Sequence, residues 1–280
     1  MKRFGEKRAL DGISLDVEGG SIFGFLGPNG AGKTTMIRSM MDYIRLDEGS
    51  ISLLGADAQA DSADLKNKIG YLSSDIQLHK NWTAHDHIAF LGSIKGVGKS
   101  LALCQDFGLD IHVPVGKLSS GNKQKLAIAL AFLGDPNLVI MDEPTRGLDP
   151  LLQNQLYDLL KSFASSGGTI FFSSHNLSEV QLLCDNVAVI RNGRVVISES
   201  MDEVLKLNVH YIQATATKPI KASDFKKLDI EIVKTAGNAI ELKSKGDLNG
   251  VLHALAAYSL RDLEVRHATL EEVFMEYYND

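Results

Sequence analysis

Short apolar runs rich in β-formers alternate along this chain with stretches of helical periodicity, and that alternation predicts the architecture. Ile13 to Val17 and Ser21 to Leu26 read as strands on either side of a turn at Gly19-Gly20. Further strands are predicted at Ile51 to Leu54, Leu138 to Met141, Thr169 to Phe172 and Val187 to Ile190, with helices at Leu151 to Ala164 and Leu177 to Cys184. Strands and helices in this order imply an α/β class with a largely parallel sheet covered on both faces. Between about Trp82 and Leu133 the strand pattern gives way to helical periodicity, as an inserted lobe would.

A short helix, Met201 to Leu207, then leads into a second pattern. It runs as a strand at His210 to Ala216, a helix near Asp224, strands at Ile230 to Lys234 and Ala239 to Leu242, a helix at Leu248 to Tyr258, a strand at Leu263 to Arg266 and a helix at Thr269 to Tyr278. The expected division is an α/β domain over residues 1–207 and a small α+β domain over residues 208–280.

Composition narrows the function classes. The longest uninterrupted apolar stretch, Leu126 to Leu133, has eight residues, against the roughly 20 needed to cross a bilayer. With 29 basic and 35 acidic residues, net charge −6, no field draws the chain onto polyanions, so no nucleic-acid partner is expected. MKRFGEKRAL at the start has no apolar segment behind it, so a cytoplasmic chain without a secretory leader is expected. Cys104 and Cys184 lie far apart and read as buried small hydrophobes, not as a metal or redox pair.

The chemistry begins at GPNGAGKTT, Gly27 to Thr35, which matches G-x-x-x-x-G-K-[ST] between a strand and a helix. In such a loop backbone N–H groups point inward around phosphate oxygens, and glycines permit the backbone conformations this requires. The following helix adds the positive end of its dipole. Lys33 supplies a point charge for the outer phosphates, and the Thr34 hydroxyl is placed for a magnesium ion. A second acidic element is LVIMDE, an apolar strand ending in Asp142 and Glu143. Side chains alternate along a strand, so one carboxylate can serve the metal while the other faces a water.

Together these stretches resemble the nucleotide-binding subunit of an ABC transporter, over essentially the whole chain. GPNGAGKTT resembles the Walker A loop, LSSGNKQ at Leu118 to Gln124 the family signature, LVIMDEP the Walker B strand, GLD at Gly147 to Asp149 the D-loop, and His175 the switch histidine. The resemblance implies a P-loop NTPase sheet with an ABC helical lobe, plus a small C-terminal α+β domain. It implies an ATPase using ATP and Mg2+, dimerising with a second copy or a related subunit around two ATP. Such a dimer drives export through a separate membrane subunit, on the inner face of the cell membrane.

By resemblance Glu143 is the catalytic base, His175 contacts the γ-phosphate, and Phe4 stacks on adenine. Asn29, Gly30, Ala31, Gly32, Lys33, Thr34 and Thr35 surround the phosphates, while Ser119, Ser120, Gly121, Asn122 and Asp149 complete the nucleotide set. Thr34, Asp142 and Ser74 form the expected metal set. The signature residues also have a physical reading. Ser119, Ser120 and Gly121 precede a run of helix formers, so hydroxyls and free N–H groups gather at a helix start. A second anion site in one chain is explained if it serves another molecule's nucleotide.

The chain departs from the family pattern in three places. IGYLSS, Ile69 to Ser74, puts Ser74 where the family has a glutamine, leaving either Ser74 or Gln77 to reach the metal. The signature reads LSSGN in place of LSGGQ. Only three residues precede Phe4, so the family's usual first strand is expected to be missing. His79, His85 and His87 form a sparse cluster better explained as polar positions on an exposed helix than as zinc ligands. In the family the region around Trp82 receives a helix of the membrane subunit, and the tail ending in HATLEEVFMEYYND resembles that of exporter-type subunits.

Two alternatives are weighed. A soluble ABC ATPase acting on DNA or ribosomes would carry either two ATPase units in one chain or a long coiled coil in the lobe, for which about 50 residues leave no room. A P-loop kinase would not need LSSGN or the stretch from Asp142 to Asp149.

Overall fold

The fold was read from a computed structural model, which describes residues 1–205, 209–225, 228–246, 248–268 and 272. The chain divides into two compact units, Met1–Ser200 and Met201–Asp280. The junction expected at 207/208 lies outside the described residues.

The first unit opens with β1 (Lys2–Phe4) and β2 (Lys7–Leu10), paired antiparallel around Gly5, whose φ of 59° suits the tight turn. Asp47 secures this hairpin by accepting from Lys2 Nζ at 2.9 Å and from the Arg3 amide at 2.7 Å. Next come β3 (Ile22–Leu26), α1 (Lys33–Met40), the small ribbon β4 (Ser52–Leu53) and β5 (Ala56–Asp57), α2 (Ser62–Lys68) and β6 (Ile69–Leu72). The lobe contributes α3 (Ala84–Lys95), α4 (Ser100–Asp106) and α5 (Ser120–Ala131). The chain then returns through β7 (Leu138–Asp142), α6 (Pro150–Ser165), β8 (Thr169–Ser174), α7 (Leu177–Leu183), β9 (Asn186–Arg191) and β10 (Arg194–Ser200).

The main sheet has the order β10-β9-β3-β8-β7-β6, parallel except for the antiparallel edge strand β10. β3, β7 and β8 are buried along their whole length, which is why they read as continuous apolar runs. Phe23 stacks on Phe171 at 5.7 Å, with Phe25 beside them, and Ile37 and Met40 of α1 pack into the same cluster. Because β3, β8, β7 and β6 are parallel neighbours, the loops that leave their C-terminal ends lie side by side. Open α/β sheets bind ligands at that edge.

The second unit comprises α8 (Met201–Leu205), β11 (Val209–Ala216), β12 (Ile230–Ala236), β13 (Ala239–Lys245), α9 (Asn249–Ala256) and β14 (Leu260–His267). Its sheet, ordered β12-β13-β11-β14, is antiparallel throughout. Ile212, Ala214, Ile240 and Leu242 pack with Phe225, Val251 and Leu255 into a separate core.

Several elements differ from those the pattern predicts. Ile13 to Val17 is not a strand: Ile13 and Leu15 pack against the main core, but their backbone joins no ladder. The short β1–β2 hairpin at the start of the chain has no counterpart among the predicted strands. β10 extends the sheet beyond the predicted strands, and the helix near Asp224 is a single 3₁₀ turn, Ala222–Phe225. The helix expected at Thr269 to Tyr278 falls almost wholly outside the described residues. Cys104 and Cys184 are both buried and unpaired, and burial pushes the Cys104 thiol up to about 11.

Candidate functional site

The loop between β3 and α1 is shaped by its glycines. Gly30 has φ 80° and Gly32 φ 120°, where a side chain would be strained, and a Cβ on Gly27 would collide with the Ile190 carbonyl. Lys33, the first residue of α1, folds back over the loop and donates to the Gly27 carbonyl at 2.6 Å and the Pro28 carbonyl at 3.3 Å. It is 5% exposed. Burial pulls its ammonium below the ordinary lysine range, against the opposing pull of Glu143 and Asp142.

Asp142, at the end of β7 and 1% exposed, collects hydroxyls from three segments. Its Oδ2 accepts from Thr34 Oγ1 at 2.9 Å and Ser74 Oγ at 2.8 Å, and its Oδ1 from Ser173 Oγ at 2.6 Å. Thr34 and Ser74 therefore share one carboxylate oxygen. A cluster of hard oxygen donors on one carboxylate suits a small divalent cation such as Mg2+. Gln77 takes no part in it and lines a separate cavity of about 430 Å³ with Tyr71, Leu91 and Lys95.

Glu143 follows with φ 52°, a left-handed conformation rare for a residue with a side chain and held here by its surroundings. Its amide donates to the Ser173 carbonyl at 3.2 Å and to Ser173 Oγ at 3.1 Å. Its Oε1 lies 3.8 Å from Lys33 Nζ and 3.2 Å from His175 Nδ1, so the carboxylate sits between the two. Above it opens a cavity of about 240 Å³. Pro28, Asn29, Gly30, Gly32, Lys33, Thr34, Thr35 and Glu143 line it, with Phe4, Lys7 and Ala9 from the hairpin. Ala31 faces inward to the core instead.

The signature residues stand apart from that cavity. Ser119 caps α5, accepting from the Asn122 amide at 3.2 Å, and Ser119 and Ser120 are exposed. Asp149 caps α6, accepting from the Leu152 amide at 3.0 Å. Each side chain thus fixes the start of a helix.

Three further residues, none assigned a role by the motifs, support these groups. Ser173 touches both Asp142 and Glu143. Buried Gln124 donates to the Pro144 carbonyl at 2.8 Å, and buried Glu179 gathers donors from two loops. Each acts across 20 or more residues of sequence except where Glu179 meets its own loop. Glu179 lies four positions after His175 in the first turn of α7.

The histidine cluster resolves differently from expectation. His87 is buried, its Nδ1 2.8 Å from the Thr83 carbonyl and its Nε2 accepting from the His79 amide at 3.0 Å, so both ring nitrogens are occupied within the fold. Among the described residues no group of three or more His, Cys, Asp or Glu is placed to hold a metal. Trp82 stacks on His79 and meets His87 and Phe90 edge-on, while Phe90 and Ile94 of α3 are exposed. No helix among the described residues is long and apolar enough to cross a membrane.

A family model described as ABC transporter matches residues 10–146. The uncharacterized ABC transporter ATP-binding protein YhcH of Bacillus subtilis is 33% identical over 95% of this chain and 90% of its own length. The Nod factor export ATP-binding protein I of Burkholderia lata is 33% identical over 70% of this chain and 67% of its own. A solved structure of an ATP-binding subunit of an ABC transporter superposes with a TM-score of 0.68 at 27% identity, covering 72% of this chain and 87% of that one. The chain, with its phosphate loop, its paired carboxylates at the end of β7 and its capped signature helix, belongs to the ATP-binding subunits of ABC transporters, an ATPase family.

Proposed function

We propose that this subunit hydrolyses ATP in a head-to-tail dimer and drives export through a separate membrane subunit. The observation that carries the chemistry is Glu143 Oε1, held between Lys33 Nζ and His175 Nδ1 beside the phosphate loop. From there the carboxylate takes a proton from the attacking water. Lys33 and the loop amides hold the β- and γ-phosphates, and His175 marks the γ-phosphate end. Phe4, half exposed at the rim of the cavity, offers a ring to adenine.

Thr34, Ser74 and Asp142 would hold Mg2+, which neutralises charge on the phosphates when bound. Asp142 is pre-oriented for this role by Ser173. Ser119, Ser120, Gly121, Asn122 and Asp149 serve the nucleotide of the second chain, which accounts for two exposed helix starts remote from the first cavity. The membrane subunit docks on the lobe near Trp82, where Phe90 and Ile94 leave apolar surface uncovered. That places the dimer on the cytoplasmic face of the membrane. Export as the direction is supported by the named relative from Burkholderia lata.

Phosphate release tests the chemical core. The parent should turn over ATP with magnesium, and Glu143→Ala should keep nucleotide affinity while losing at least about a hundredfold in kcat. Parent-level turnover in Glu143→Ala would refute the assignment.

A further inference from the structure

Among the described residues, Glu179 is the one buried carboxylate near the site that the chemistry above does not use. It lies in the first turn of α7 and is 6% exposed. Among the described residues it takes no ion pair. Neutral side chains satisfy it: Thr145 Oγ1 donates to Oε1 at 2.6 Å, Asn176 Nδ2 to Oε1 at 3.3 Å, and Ser174 Oγ to Oε2 at 2.9 Å. A buried charge costs stability that an apolar residue would not, so its presence calls for a task that needs these bonds.

The origin of the donors shows the task. Thr145 stands two residues after Glu143 on the loop leaving β7, and His175 is flanked by Ser174, the last residue of β8, and by Asn176 on the loop that leaves it. One carboxylate therefore binds together the two loops whose reacting side chains meet, Glu143 Oε1 and His175 Nδ1 at 3.2 Å. The β7 loop is held by a second contact as well, in which Gln124 of the signature helix donates to the Pro144 carbonyl. Glu143 itself has a strained backbone that must be held from outside.

We propose that Glu179 is a positioning residue for ATP hydrolysis, clamping the β7 loop to the β8 loop so that Glu143 and His175 keep their contact. The inference rests on the assignment of Glu143 as base and His175 as its neighbour. Glu179→Gln keeps the shape of the side chain but turns one acceptor oxygen into a donor facing a hydroxyl, and Glu179→Asp withdraws the carboxylate by one methylene.

The full chain is assayed for ATP turnover, with affinity for a non-hydrolysable ATP analogue and circular dichroism measured alongside. Glu179→Gln should lower kcat at least about tenfold with KM and analogue affinity within about threefold. Glu179→Asp should retain more activity than Glu179→Gln, since its charge can still accept from the same hydroxyls. In a His175→Ala background Glu179→Gln should cost less than about twofold further, because both changes break one contact. Should Glu179→Gln fail to fold, Thr145→Val and Ser174→Ala each remove one donor from opposite loops and should each lower kcat at unchanged KM. Losses that multiply in the double variant, or kcat within about twofold of the parent in every folded variant, would overturn the clamp. The underlying assignment fails separately: it falls if Glu143→Gln keeps parent turnover, whereas inactive Glu143→Gln beside fully active Glu179 variants refutes the clamp alone.

Discussion

Ser173 donates its hydroxyl to Asp142 Oδ1 at 2.6 Å, from the neighbouring strand of the parallel sheet. Ser173 Oγ in turn accepts from the Glu143 amide at 3.1 Å, so one buried serine orients the Asp142 carboxylate and anchors the backbone of Glu143, the proposed base. Ser173→Ala leaves a buried carboxylate oxygen without its donor and should destabilise the fold by about 1–3 kcal/mol. Thermal unfolding and a magnesium titration of turnover should both show the loss, and Ser173→Thr should restore most of each. A variant with parent stability and parent magnesium dependence would show that this contact is idle.

Ser74 occupies the place of the family glutamine with its hydroxyl 2.8 Å from Asp142 Oδ2. Ser74→Ala should raise the magnesium concentration for half-maximal turnover several-fold, about the effect of one lost oxygen contact. Ser74→Gln should raise turnover or leave it unchanged. A fall of more than about tenfold in Ser74→Gln would mean that the short side chain has a role of its own.

Much of this site is legible locally. The spacing from Gly27 to Thr34 and the apolar run ending in Asp142 and Glu143 are contiguous patterns with one physical meaning each. Ser173 and Glu179 carry no such pattern, because their partners reach them across 31 and 34 residues and only the sheet order brings them together. The β1–β2 hairpin was hidden for another reason. Lys2, Arg3, Lys7 and Arg8 make it look like a polar lead-in, while Ile13 and Leu15 alternate as a strand would. The alternation there reports packing on the core, not ladder pairing.

Lys33 gives a pH-dependent prediction. Its pKa in the folded chain is lowered by burial, so the folded state binds its proton less tightly than the unfolded state does. The cost is complete at neutral pH, below both values, and is relieved as pH rises through the lowered value toward about 10.4. Without nucleotide, Lys33→Met should therefore be stabilised relative to the parent most at neutral pH, with the gap narrowing on alkaline titration. Urea denaturation at two pH values checks this, and a widening gap would contradict it. The same variant should lose at least about tenfold in ATP affinity by calorimetry.

The two units have separate cores, and every residue lining the phosphate cavity lies in the first. A chain ending after Leu205 should fold and bind ATP within about threefold of the full chain, since no phosphate contact is removed. Folded truncated protein without nucleotide affinity would contradict the independence of the units.

In the proposed dimer, one chain's phosphate loop and another's signature helix close on the same ATP, and Glu143 releases them by hydrolysis. Glu143→Gln keeps the size and hydrogen-bonding reach of the side chain but cannot take a proton from water. Light scattering of this variant with magnesium and ATP is the most direct test. A stable species of twice the chain mass is expected, reverting to monomer when Ser119→Arg blocks the start of α5. A Glu143→Gln chain that stays monomeric at saturating ATP, or a dimer indifferent to Ser119→Arg, would contradict it.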